Sequence, residues 1–295
     1  MTPNEYLQKI IVSQTLAEDS DELKTLRARR DEIEAHLRKE FGNSPKIRYG
    51  GSQAKGTLIK DSYDLDIVCY FPRDDEDAGD TLEQLYTNVK NELTKHYQVE
   101  PKTSALRVKG MDAVDFHVDV VPGRFIDESN EDTFLYRAAG EKCRLKTNIK
   151  THIAHVKGSG VTDAIKLMKL WRTRNGVQLK SLAVELLTIE VVGKSTASLD
   201  KQMRTVLEKL RDEPEKISIK DPANPKGNDL SEIWNDSIRS VVSAVARSSL
   251  SVIDSAGWEA VFGKLPEEKS AAASMEAFRA AARAVSVPAK PWSTR

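Results

Sequence analysis

The sequence predicts an α+β protein: a mixed-sheet lobe first, then a lobe made of helices. Two features point there. Short β-branched and aromatic runs bounded by Gly, Pro or Asp crowd the first 125 residues, with helical stretches interleaved. After residue 135 the pattern turns to apolar residues at helical spacing.

The first element is a helix over residues 20–41, with Ser20 placed to cap it. Leu26, Arg30, Ile33, Leu37 and Phe41 fall on one face, so most of that stripe is apolar. Gly42, Asn43, Ser44 and Pro45 end it. Strands are expected at Lys46–Tyr49, Leu65–Phe71, Leu106–Lys109 and Val114–Val121, with a helix from Thr81 to His96 between two of them. Helices are then expected at Val161–Thr173, Leu179–Val192, Leu199–Leu210 and Leu230–Val252. These elements divide the chain into a catalytic lobe, 1–135, which includes an N-terminal helix spanning both lobes. A helical lobe, 136–285, follows, and 286–295 form a flexible tail. The active site is expected in the cleft between the lobes.

Composition narrows the function classes. Lys+Arg equals Asp+Glu at 45 each in 295 residues, so a stable complex with a long nucleic acid is not expected. Two cysteines, Cys69 and Cys143, are too few for a disulfide framework or a Cys-based zinc site. No apolar run is long enough to span a membrane and residues 1–20 do not resemble a signal peptide, so the chain reads as cytoplasmic, without a membrane partner.

The chemistry is concentrated in acids on strands. Asp64 and Asp66 are two apart and share one strand face, leaving Leu65, Ile67, Cys69 and Phe71 for the core. Paired carboxylates repel unless a cation lies between them, and oxygen-only ligands suit Mg²⁺. In Val114–Val121, apolar Val114, Phe116, Val118 and Val120 alternate with Asp115, His117 and Asp119, so Asp119 is the third candidate acid. His117 reads as a structural or substrate contact rather than a ligand. Asp61, Asp74, Asp75, Glu76 and Asp77 read as solvated loop residues. Gly51-Ser52, just before the acids, allows backbone and hydroxyl to approach a phosphate closely.

Joined in this order, the motifs GGSQAKGT, DLDIVCYF and VDFHVDVVPG resemble the polymerase-β-like nucleotidyltransferases. That superfamily includes archaeal CCA-adding enzymes, 2′-5′-oligoadenylate synthetases, cyclic GMP-AMP synthase and its bacterial CD-NTase relatives. The VDVVPG ending, Val118–Gly123, is the more family-specific part. The helix KLMKLW resembles one whose lysine contacts the donor triphosphate, Lys169 being the better match. Ser181 in LKSLAVELL matches a phosphate-binding serine, and Asp221–Asn228 resembles a DPxxPxxN turn of the same branch. Leu182 departs from the family, which often places a base-stacking Tyr there.

The resemblance implies an enzyme that joins nucleoside triphosphates, ATP among them, into a cyclic di- or oligonucleotide second messenger with release of pyrophosphate. Asp64, Asp66 and Asp119 would be both catalytic and metal-binding, holding two Mg²⁺ ions that Mn²⁺ can replace. Gly51, Ser52, Lys169 and Ser181 would hold the donor phosphates. Relatives of this length serve antiphage signalling through an effector that binds the product. The rival readings are an RNA terminal nucleotidyltransferase of the CCA-adding type and an inactive nucleotide-binding scaffold.

Overall fold

The computed structural model describes residues 1–62, 65–110, 117–138, 143–265 and 275–280. Asp64, Asp115 and the tail expected at 286–295 lie outside the described residues. Contacts divide the chain into two units. One holds Leu16–Gly51 and Lys60–Thr147 and contains the sheet. The other gathers Met1–Thr15, Ser52–Ile59 and Asn148–Glu268 and is helical. The helical unit therefore takes two segments, 1–15 and 52–59, from the stretch the sequence reading gives to the catalytic lobe.

In the sheet unit, α2 (Asp21–Phe41) begins at Ser20, whose hydroxyl accepts from the Leu23 N–H, and Leu26, Ile33 and Leu37 are fully buried. The remaining elements are β1 (Lys46–Tyr49), β2 (Asp66–Phe71), α4 (Leu82–Thr94), β3 (Gln98–Pro101), β4 (Leu106–Lys109), β5 (His117–Phe125), β6 (Thr133–Tyr136) and β7 (Arg144–Thr147). Thr81 and Gln84 form a capping box at the start of α4, two residues that each satisfy an otherwise unpaired backbone N–H. The strands form one mixed sheet in the order β1-β2-β5-β4-β3, with β6 and β7 continuing from the far end of β5. Among the described residues β2 and β5 are the parallel pair; the other neighbours run antiparallel.

One face of the sheet is core throughout. Ile67, Cys69 and Phe71 of β2, Val118 and Val120 of β5, and Leu106 and Val108 of β4 are all buried. The register pairs Leu106 with Val120 and Val108 with Val118. On the helix side Leu85, Val89 and Leu93 of α4 are buried, and the Phe41 ring of α2 meets Phe71 edge-on. Val68 and Tyr70, on the opposite face of β2, are buried as well, and the Tyr70 ring meets Phe125 of β5 edge-on.

Strand β5 continues through Pro122 and Gly123, beyond the expected end at Val121. The reason for a glycine is steric. A Cβ at Gly123 would stand 2.7 Å from both Thr133 Cγ2 and Leu135 Cδ2, and 3.0 Å from the Tyr70 ring. All three neighbours are buried and have nowhere to retreat. Gly123→Ala is therefore expected to destabilise the protein by about 1–3 kcal/mol through overpacking, read as a lower denaturation midpoint.

The helical unit contains α1 (Pro3–Gln14), most of α3 (Gly51–Lys55), α5 (Ile149–Lys157), α6 (Thr162–Arg174), α7 (Ser181–Val192), α8 (Leu199–Asp212), α9 (Asp236–Ala256) and α10 (Glu259–Phe262). Helix α1 was not expected, although Thr2, Pro3 and Glu5 are a capping box with proline at the first turn. Its Leu7 and Ile10 join the core made by Leu167, Trp171, Leu187, Met203, Leu207 and Leu250. The Trp171 indole N–H donates to Ser249 Oγ at 2.9 Å, so the ring is buried with its polar atom satisfied.

Helix α9 starts at Asp236, later than the expected Leu230. Asn235 accepts from the Ile238 N–H, while Asp229 accepts from the N–H of Ser231. Short polar side chains that bond nearby backbone compete with helix and favour turns.

Candidate active site

Strands β2 and β5 place two of the expected acids side by side. Asp66 and Asp119 are register partners on adjacent, hydrogen-bonded strands. Partners in register share a face of the sheet, so both carboxylates leave the same side, opposite the core face. Both residues are half-buried. The Asp119 N–H donates to Leu65 O at 3.0 Å, and the Gly50 N–H donates to Asp66 O at 2.9 Å. The Gly50-Gly51 pair thus leaves the sheet directly beside Asp66. Gly51 has φ +66°, a left-handed conformation that suits glycine.

The Asp119 carboxylate is gripped by Arg107 of β4. Arg107 Nε donates to Oδ1 at 2.9 Å and Nη2 to Oδ2 at 3.0 Å. Sequence reading missed Arg107, although its place on the polar face of the alternating run Leu106–Lys109 was a signal. His117, also on β5, is buried.

Of the expected phosphate contacts, Gly51 belongs to the sheet unit, and Ser52, Lys169 and Ser181 fall in the helical unit. Ser52 is fully buried, and its carbonyl accepts from the Thr57 N–H at 2.8 Å. Lys169 is also fully buried, its Nζ donating to Thr57 O at 3.2 Å, so α6 brings this lysine onto the segment that carries Ser52. Lys166, one turn earlier, is partly exposed and pairs with Asp163. Ser181 opens α7, and its hydroxyl oxygen accepts from Arg172 Nη1 at 3.0 Å.

A second feature missed in the sequence holds this group together. Glu185 of α7 is fully buried; Oε2 accepts from Lys55 Nζ at 2.8 Å and Oε1 from Thr57 Oγ1 at 3.1 Å. A single acid within the apolar run Leu182–Leu187 was the available sign, because an acid on an otherwise buried helix needs a partner. The Asp221–Asn228 turn is closed in a similar way. Asp221 accepts from Asn228 Nδ2 at 2.6 Å and from the Ala223 N–H at 2.8 Å, and lies 3.1 Å from His152 Nε2 of α5. Burial pushes the Asp221 carboxyl up, but the bonds from His152, Asn228 and Ala223 outweigh it and hold the group below its ordinary value.

Residues 1–159, more than half of the chain, match the family model of the SMODS domain, the Second Messenger Oligonucleotide or Dinucleotide Synthetase domain. The chain belongs to this family. The synthetase is accordingly a nucleotidyltransferase, as its motifs implied. No curated protein matches it by sequence.

Solved structures share the synthetase's fold. The CdnC of Escherichia coli MS115-1, solved with HORMA-deltaN, has a TM-score of 0.66 at 20% identity, covering 90% of this chain and 98% of that one. CdnG of Bradyrhizobium diazoefficiens, solved with GTP, has a TM-score of 0.66 at 14% identity, covering 94% and 98%. The cyclic AMP-GMP synthase DncV of Vibrio cholerae has a TM-score of 0.60 at 18% identity, covering 90% and 82%. The expected α+β fold, with a mixed sheet and a helical part, is borne out.

Proposed function

We propose that the synthetase joins nucleoside triphosphates into a cyclic di- or oligonucleotide, releasing pyrophosphate, and that Asp64, Asp66 and Asp119 are its catalytic acids. The observation that carries this reading is the pairing of Asp66 with Asp119 on one face of adjacent strands, beside the exit of the Gly50-Gly51 pair. Asp64 joins them on its two-residue spacing from Asp66.

Two carboxylates on rigid neighbouring strands offer hard oxygen ligands, which fit Mg²⁺, or Mn²⁺ in its place. When bound, two such ions would neutralise charge on the transferred phosphoryl group and make the attacking hydroxyl more acidic. Asp119 accepts the proton of that ribose hydroxyl. Ser52, Lys169 and Ser181 hold the donor triphosphate, with Gly51 letting the backbone close on it. The protein's own contribution is mostly position and fixed charge, since phosphoryl transfer asks for little covalent chemistry from side chains.

The family's description supports a second-messenger product; that a downstream effector reads it, in antiphage signalling, is what the resemblance of the motifs implies. Incubating the protein with all four ribonucleoside triphosphates and Mg²⁺ or Mn²⁺ tests this, with products read by mass spectrometry after phosphatase treatment. A phosphatase-resistant cyclic product is the expected result and names the bases. Extension of an added tRNA, with no free cyclic product, would overturn it in favour of terminal transfer.

A further inference from the structure

The register of the sheet lines up four charged side chains across four strands. Asp66 of β2 faces Asp119 of β5, Asp119 faces Arg107 of β4, and Arg107 faces Glu100 of β3. Arg107 therefore stands on the same face as the acids, one strand beyond the two that carry them. Its fork onto Asp119 takes one N–H to each carboxylate oxygen, which leaves each oxygen a further lone pair. Both side chains are largely shielded, at 19% and 16% exposure.

A forked bond constrains more than a point charge does. Two parallel N–H···O contacts fix the plane and torsion of the carboxylate, whereas a single contact leaves it free to rotate. The fold has little need of the pair: β4 and β5 are already held in register by their backbone ladder, and by Leu106, Val108, Val118 and Val120 on the core face. What the fork does decide is where the Asp119 oxygens sit relative to Asp66. The guanidinium also offsets the repulsion between two neighbouring acids.

We propose that Arg107 is the positioning residue of the metal site, holding the Asp119 carboxylate aimed at the cation it shares with Asp66. Arg107 carries no ligand atom for a cation; it acts on the site through Asp119. The proposal rests on the functional reading above.

The test compares wild type with R107Q, R107K and D119N. Mn²⁺ binding is measured by electron paramagnetic resonance in the presence of a nonhydrolysable nucleoside triphosphate, alongside kcat, KM and Tm. Loss of an outer partner of a metal ligand weakens metal binding by about 10–100-fold. R107Q is expected to show that loss, with a matching fall in kcat and little change in KM for the triphosphate. Tm is expected to stay close to wild type in both arginine variants; R107K keeps the charge but not the fork, so it does not restore Mn²⁺ affinity.

Unchanged or tighter Mn²⁺ binding by R107Q overturns the proposal, as does full recovery in R107K. Wild-type Mn²⁺ binding in D119N would instead overturn the reading of Asp119 as a ligand, and this proposal with it.

Discussion

Asp66→Asn should lower the rate of synthesis by about 10³-fold or more, while the protein remains folded. The substitution keeps the shape of the side chain and removes its charge. Asp66 stands at the start of β2, opposite Asp119 and outside the buried run that follows it from Ile67 to Phe71. A cation at a phosphoryl centre supplies several kcal/mol of transition-state stabilisation, and roughly 4 kcal/mol corresponds to 10³ in rate. The measurement is the initial rate of product formation, with circular dichroism as the check on folding. A rate within about tenfold of wild type would exclude Asp66 from the chemistry.

The second large effect belongs to Glu185. Glu185→Ala removes the buried carboxylate to which Lys55 Nζ and the Thr57 hydroxyl both donate, next to a lysine that is itself only 9% exposed. Removing one partner of a buried pair costs about 3–5 kcal/mol, since the buried ammonium loses its counter-charge. For a protein of this size that is a fall in Tm of order 10 °C.

The double variant Glu185→Leu/Lys55→Met separates stability from function. Replacing both charges by apolar groups should recover most of the lost stability, because the cost lies in burying one charge after its counter-charge is removed and not in the absence of the pair. Donor triphosphate binding, measured by calorimetry, is expected to stay weak in the double variant. Lys55 and Thr57 belong to the segment that begins with Ser52; Glu185 anchors both to α7, and Lys169 holds the Thr57 carbonyl. Recovery of both stability and binding would make the cluster a structural pair alone.

Much of the fold was legible because its signals are local. Helix α2 was marked at its start by Ser20, along its length by Leu26, Ile33 and Leu37, and at its end by Gly42. Helix α4 was bounded on its first side by the Thr81 cap. Strand β2 announced itself through Ile67, Cys69 and Phe71. Less legible were Gln98–Pro101, Thr133–Tyr136 and Arg144–Thr147, strands of four residues each, too short to carry a periodic signal of their own. They become strands because neighbours complete their hydrogen bonds, which is a property of the sheet and not of four residues.

The sequence by itself determined the chemistry on offer: acids two apart on a strand, a third acid before VVPG, and a glycine-serine turn ahead of them. Spacing along one strand settles which side chains share a face, so Asp64 and Asp66 could be paired without coordinates. Only the tertiary structure decided that Asp119 lies opposite Asp66, that Arg107 grips Asp119, and that Glu185 holds Lys55 across 130 residues of chain. Strand register and helix packing bring together residues remote in sequence. No local spacing encodes such a meeting, because the sheet and the buried core as wholes select it.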